Sequence, residues 1–154
     1  MVLRFFQWYE QSPVAQATHA SWFALLIEML HVFGLTILTG AIVLVSLRLL
    51  GASMTRRPVS EVAGELWKWS IIGLGVQLAS GAVLLSSQTV RWYDSVPFWT
   101  KMTLVLIGIL FHFTVYRMVT QRDDLQPLTY RLTGAFALVI WFSVGISGRA
   151  ITFL

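Results

Sequence analysis

Four long apolar runs, separated by short polar stretches, constrain this chain more than any other feature. A helix needs about 20 consecutive apolar residues to cross a bilayer. Inside the bilayer only helices and closed barrels satisfy every backbone polar group. The runs lie at about 21–50, 66–87, 98–119 and 130–148. The sequence therefore predicts an all-α integral membrane four-helix bundle, a single domain over residues 1–154. Charged residues make up only 12% of the chain, against about 25% in a soluble domain.

The residues before the first run read as an interfacial helical segment. Phe5, Phe6, Trp8 and Tyr9 are ring side chains suited to the headgroup region. A signal peptide is not expected, because Arg4 is the one early charge and Gln7, Glu10 and Gln11 interrupt the apolar stretch. Ser12-Pro13 matches an N-cap followed by proline at the first helical position, so a second short helix is expected to lead into the first span. His19 falls at the water boundary and reads as a surface histidine.

Charge placement predicts orientation. Arg48, Arg56, Arg57, Lys68, Arg117, Arg122 and Arg131 flank the first and third loops, whereas Arg4, Arg91, Lys101 and Arg149 lie on the other side. The positive-inside bias then puts those loops in the cytoplasm of a bacterial inner membrane, with both termini in the periplasm. No basic stripe of the kind that binds nucleic acid is present. Cysteine is absent, which excludes disulfides, thiolate metal sites, iron–sulfur clusters and covalently attached haem.

The candidate chemistry lies in the ionisable residues within the runs. Trp22 to Leu47 is broken only by Glu28 and His31, three apart and so on one helical face. A second histidine, His112, interrupts the run Met102 to Tyr116. Ionisable residues in lipid are costly and mark function by default. Two such histidines on separate helices are the axial ligands that haem b needs. The simpler alternative is that each histidine only hydrogen-bonds inside the bundle. In the haem reading Gly34 and Gly108 are small residues beside the two ligands. Arg91, Lys101 and Arg149 are cations for the propionates, or else ordinary interfacial residues. Glu28 would orient the imidazole, relay protons or stay protonated. Gln77, alone in an apolar run, reads as an interhelical hydrogen-bonding residue.

The depth of the two histidines depends on the end from which it is counted. From Trp22 to His31 is nine residues and from Lys101 to His112 is eleven, nearly level. From the other end, His31 is seventeen residues before Arg48 and His112 five before Arg117, an offset of roughly 18 Å at about 1.5 Å per residue. The sequence leaves the pairing open. A carboxylate-bridged di-iron centre is not expected, since there is no second Glu-x-x-His. Copper held by His with Met29, Met102 or Met118 is a weaker alternative, because methionines in apolar helices usually pack.

Leu30-His31-Val32-Phe33-Gly34, then Gly40 and Arg48, resemble the first helix of small four-helix membrane proteins related to HemJ and to the CopD domain. Lys101-Met102-Thr103-Leu104-Val105, running to Phe111-His112, resembles a later helix of the HemJ type. Trp22, Ile27-Glu28, His31, Gly34, Gly40, Leu47 to Gly51 and Gly148-Arg149 together are similar to a family of bacterial membrane proteins of about this length without a firm function. The HemJ resemblance implies a four-helix bundle, haem b and protoporphyrinogen oxidase activity. The Trp-Phe-x-Gly stretch of that family is replaced here by Leu35 to Gly40. The CopD resemblance implies copper handling.

The leading expectation is a small b-type cytochrome, with His31 and His112 as haem ligands and electron transfer to or from quinol. The alternatives are a HemJ-like oxidase and a non-catalytic or copper-handling membrane subunit. Whether the chain is an enzyme and whether it forms a homo-oligomer stay open.

Overall fold

The computed structural model describes residues 2–18, 21–86 and 95–150. Among them every regular element is helical: α1 (Val2–Glu10), α2 (Pro13–Thr18), α3 (Ser21–Leu49), α4 (Val59–Ser86), α5 (Val96–Thr120) and α6 (Pro127–Ala150). Helices α3 to α6 are each long and apolar enough to cross a membrane. Their outer faces carry exposed Leu25, Val32, Leu106 and Val139, groups that lipid tails solvate and water does not. The chain is a multi-pass helical membrane protein.

Local chemistry sets most helix ends. The Ser12 hydroxyl accepts the Ala15 N–H at 3.3 Å and so caps α2, as the Ser12-Pro13 pair predicts. Helix α3 stops where Gly51 turns to φ +76°, a conformation that glycine adopts without a Cβ clash. The Ala52 and Ser53 N–H groups then fold back onto the Leu47 carbonyl at 2.9 and 3.3 Å. Helix α5 starts from Ser95, whose hydroxyl accepts the Phe98 N–H.

Helix α4 begins seven residues before the apolar run at 66, where Ser60 followed by Glu61 and Glu65 suits a helix start. Its first two turns carry Glu61, Glu65 and other polar residues, so apolarity alone does not mark them. Their helicity is secured from outside: Asp123, in the loop between α5 and α6, accepts both the Ser60 N–H at 3.1 Å and the Ser60 hydroxyl. Arg57 adds ion pairs to Glu61 at 2.6 Å and Glu65 at 2.5 Å. Glu65 and then Glu61 hold the Arg57 guanidinium above its ordinary range. The Arg48 guanidinium donates to the Arg57 carbonyl at 2.6 Å, tying the end of α3 to the same corner.

The bundle is assembled around α3, which packs most extensively on α4 and also along α6; α5 packs on α6 and, through His112, on α4. Glycines allow the α3–α4 crossing. A Cβ on Gly73 would lie 2.6 Å from the Leu38 nitrogen, and one on Gly34 would lie 3.0 Å from the Gln77 nitrogen. Around this contact lies a core that includes Leu38, Ile42, Val45, Tyr116, Ala137 and Trp141. At the far end from Asp123 the N-terminal segment is docked against the spans. Phe6 packs on the Phe98 and Trp99 rings, and the Tyr9 hydroxyl donates to the Ala82 carbonyl at 2.9 Å.

Hydrogen bonds from the Ser60 hydroxyl and N–H hold the Asp123 carboxyl below the usual carboxylate range. A carboxyl with a lowered folded pKa contributes stability above its unfolded value, about 3.9, and loses it as pH falls through the lowered value. Asp123→Ala should therefore destabilise the protein at pH 7 by about 0.5–1 kcal/mol, a helix-cap effect reduced by solvent screening. The difference in melting temperature between wild type and variant, measured in detergent, should shrink as the pH is taken to about 3. An equal difference at both pH values would assign the effect to something other than this carboxylate.

Candidate functional site

Helix α4 carries a polar stripe, Ser70, Gln77 and Ser80, on the face it turns to its neighbours, and both described histidines bind to it. His31 comes from α3, close to the glycine crossing. Its Nδ1 lies 2.9 Å from Ser80 Oγ and its Nε2 2.8 Å from Gln77 Nε2. The Ser80 hydroxyl already donates to the Val76 carbonyl at 2.6 Å, so toward His31 it accepts. The ring is consequently the neutral Nδ1–H tautomer, with its Nε2 lone pair accepting from the Gln77 amide. Gly81 makes room for this ring, since a Cβ there would sit 3.1 Å from His31 Cε1. Gln77 thus forms the interhelical bond that its isolation predicts. Its Oε1 is buried without a partner.

Lys101 completes this region. It enters from α5, its Nζ lies 3.3 Å from where a Cβ of Gly148 would be, and it is close enough to His31 to act on it electrostatically. Among the described residues the half-buried ammonium has no hydrogen-bond or ion-pair partner. One turn deeper on the same faces of α3 and α6 lies an apolar crevice of about 290 Å³, lined by Leu35, Thr39, Trp141, Phe142, Gly145 and Ile146.

His112 occupies a different place. It is 1% exposed and starts a π-helical turn, His112–Tyr116, within α5. There the Thr114 hydroxyl takes the Leu110 carbonyl at 2.5 Å, which competes with the regular backbone ladder. The imidazole lies parallel to Trp67, 5.1 Å between centroids and 5° between planes, and nearly parallel to Tyr116 at 5.2 Å and 20°. Arg117 covers the Trp67 ring at 4.0 Å. His112 Nε2 stands 3.3 Å from Ser70 Oγ, which donates at 2.8 Å to the Trp67 carbonyl.

The structure therefore does not bring His31 and His112 together. Their α4 partners are seven to ten residues apart, about 10–15 Å along a helix at about 1.5 Å per residue. Axial imidazoles on one metal each need bonds of only about 2 Å. The small residues expected beside a macrocycle are also occupied: Gly34 faces Val76 and Gln77 across the helix crossing, and Gly108 faces Trp141 at 3.5 Å. The residues present do not fit one haem held between these two histidines. The count from the Arg48 and Arg117 ends describes their offset, and the count from Trp22 and Lys101 does not.

Glu28 is exposed on α3 and is a partner of neither His31 nitrogen. The orienting role expected of it is taken by Ser80, because the imidazole turns into the α4 groove while the carboxyl points out of the bundle. His19, Arg91 and the side chain of Arg149 lie outside the described residues. Among the described residues no three His, Asp or Glu side chains converge on a metal-sized site. Sequence reasoning missed Ser70 and Ser80. Their spacing around Gln77, at seven and three residues, was the available signal of one polar face.

Fold and site define a four-span helical membrane protein with two separate histidine-centred polar clusters in its interior. The chain belongs to DUF6644, a family of unknown function, whose profile matches residues 5–154. No curated protein and no solved structure matches it.

The tautomer is testable. Ser80→Ala removes the acceptor of the Nδ1–H and leaves a buried donor unpaired, a loss of about 1–3 kcal/mol. An amide flip of Gln77 would offer its orphaned Oε1 to an Nε2–H instead. Nitrogen-15 spectra of labelled histidine should thus show His31 protonated at Nδ1 in wild type and shifting toward Nε2–H in the variant. An unchanged tautomer would mean that Ser80 does not set it.

Proposed function

We propose that the His31–Gln77–Lys101 region receives the polar head of a lipid-soluble carrier of the quinone class, with its apolar tail in the crevice between α3 and α6. The observation that carries this reading is the Lys101 ammonium, half-buried and unpartnered among the described residues, beside a neutral histidine. Intramembrane cations of this kind mark ligand paths. Lys101 Nζ and the second N–H of the Gln77 amide are donors for ring oxygens, and the Nε2 lone pair of His31 becomes a proton acceptor once Gln77 turns from it to the ligand. The crevice supplies the apolar, nearly ligand-sized space that a tail requires. In this reading the protein is a membrane electron-transfer subunit or oxidoreductase acting on quinol.

One observation supports a second reading, haem b on His31 alone. A metal-binding histidine donates its other N–H to a fixed acceptor, and Ser80 fills that role at 2.9 Å. His31 Nε2 would be the ligand once Gln77 moved aside, and Lys101 would face a propionate. The group would supply one-electron chemistry, and porphyrinogen oxidation of HemJ type belongs with this reading.

Wild-type protein in lipid nanodiscs should bind a short-tailed ubiquinone analogue. Lys101→Met should weaken binding at least tenfold, about 1.4 kcal/mol. Gly145→Leu, which fills open space in the crevice, should block the tail, while His112→Gln should leave binding unchanged. Absence of binding, or equal binding by wild type and Lys101→Met, would sink the quinone reading. A haem spectrum in the same wild-type sample that His31→Ala abolishes and His112→Gln leaves intact would establish the second.

Arg48 and Arg57, joined at the corner between α3 and α4, and Arg117, over Trp67, support a cytoplasmic position for the Asp123 end, and thus periplasmic termini. A C-terminal alkaline phosphatase fusion should then be active and a C-terminal green fluorescent fusion dark. The reverse result would invert the orientation.

A further inference from the structure

The second cluster, around His112, is not used by the site proposed above. It contains buried polar atoms without partners. His112 Nδ1, Tyr116 OH and Ser46 Oγ are all buried with no hydrogen bond, in residues that are 1%, 3% and 0% exposed. Ser46 acts on the Tyr116 phenol without reaching hydrogen-bond geometry. Buried polar groups are almost always paired with protein or with ordered water. In a membrane-embedded core no bulk water substitutes.

Beside these groups lies a small space between the helices. A cavity of about 10 Å³ is lined by His112, Tyr116, Ser70, Thr120, Ala63 and Ile42. One water needs roughly 10–15 Å³ on this measure and two to four polar partners. The chemistry is complementary. Ser70 Oγ donates to the Trp67 carbonyl, so it accepts from His112 Nε2–H, which leaves Nδ1 as a bare lone pair. Tyr116 OH is a donor without an acceptor. A water donates to the one and accepts from the other, and so supplies what both groups lack. The π-helical turn carries His112 and Tyr116, and such turns in α-helices are frequent at functional sites.

We infer that the space beside His112 is a binding site for one buried water, which donates to His112 Nδ1 and accepts from Tyr116 OH, one helical turn away. His112 is then a hydrated imidazole inside the membrane span, stacked against Trp67 and able to exchange protons with its water. The inference is independent of the quinone reading, since no residue is shared between the two clusters.

The test is solid-state NMR of the full chain in bilayers, with magnetisation transferred from water to nitrogen-15-labelled histidine. His112 is assigned by its loss in His112→Gln. Transfer to the His112 ring should be several-fold faster than to the methyls of Leu38 and Ile42, which are 0% and 1% exposed. Its Nδ1 should resonate as a hydrogen-bonded acceptor. Ala63→Val, which adds methyl groups at the cavity wall, should remove both signatures. Transfer to wild-type His112 as slow as to Leu38, with Nδ1 resonating as a free lone pair, would show a dry cavity and overturn the inference. A folded Ala63→Val variant that keeps both signatures would also overturn it, by placing the water elsewhere. The wild-type measurement decides the matter alone if Ala63→Val does not fold.

Discussion

The close crossing of α3 and α4 is the contact on which the rest of the structure depends. Lipid solvates apolar side chains as well as protein does, so helices in a bilayer are held by van der Waals contact and by hydrogen bonds between them. Gly34 and Gly73 let the two backbones approach until a single Cβ would collide with the opposite main chain. This approach fixes which residues of α3 and α4 stand side by side. It places His31 against Gln77 and Ser80, and it leaves Ser70, two turns away, for the histidine of α5.

The polar interior follows from this register. Each histidine enters α4's hydroxyl and amide stripe at its own level, and each has a different environment. His31 has both nitrogens satisfied and an unpartnered cation nearby; His112 is held between rings and keeps one nitrogen unpaired. In a medium without water the first arrangement suits a ligand with oxygen atoms to offer, and the second suits a water trapped at folding. The N-terminal segment closes the bundle near His31 through Phe6 and Tyr9, while the Ser60–Asp123 and Arg57 contacts lock the opposite end.

Much of the fold was legible in the residues. Apolar length announced the four spans, and Ser12-Pro13 and Gly51 marked helix boundaries by their backbone chemistry. The start of α4 was legible from Ser60, Glu61 and Glu65 and not from apolarity; what the residues did not announce is that an aspartate 63 residues away holds it. Of the candidate site, the importance of His31, His112, Gln77 and Lys101 as interior polar groups was legible from the cost of burying them. Their grouping was not. Gly34 and Gly108 read equally as room for a ligand or room for a helix, since a missing Cβ does not say what fills its place; the structure fills both with protein.

What the sequence determined by itself is therefore the solvent and the elements. Twenty-residue apolar helices have no stable alternative to a membrane, because their backbone and side chains are satisfied nowhere else. What only the tertiary structure decided is which polar groups meet. Rotation and sliding of one helix against another leave hydropathy unchanged yet move a side chain about 1.5 Å along the axis for each residue of shift. Two depth counts from the same sequence differ for this reason. The Gly34–Gly73 contact selects one register, separates His31 from His112, and gives each its own partners on α4.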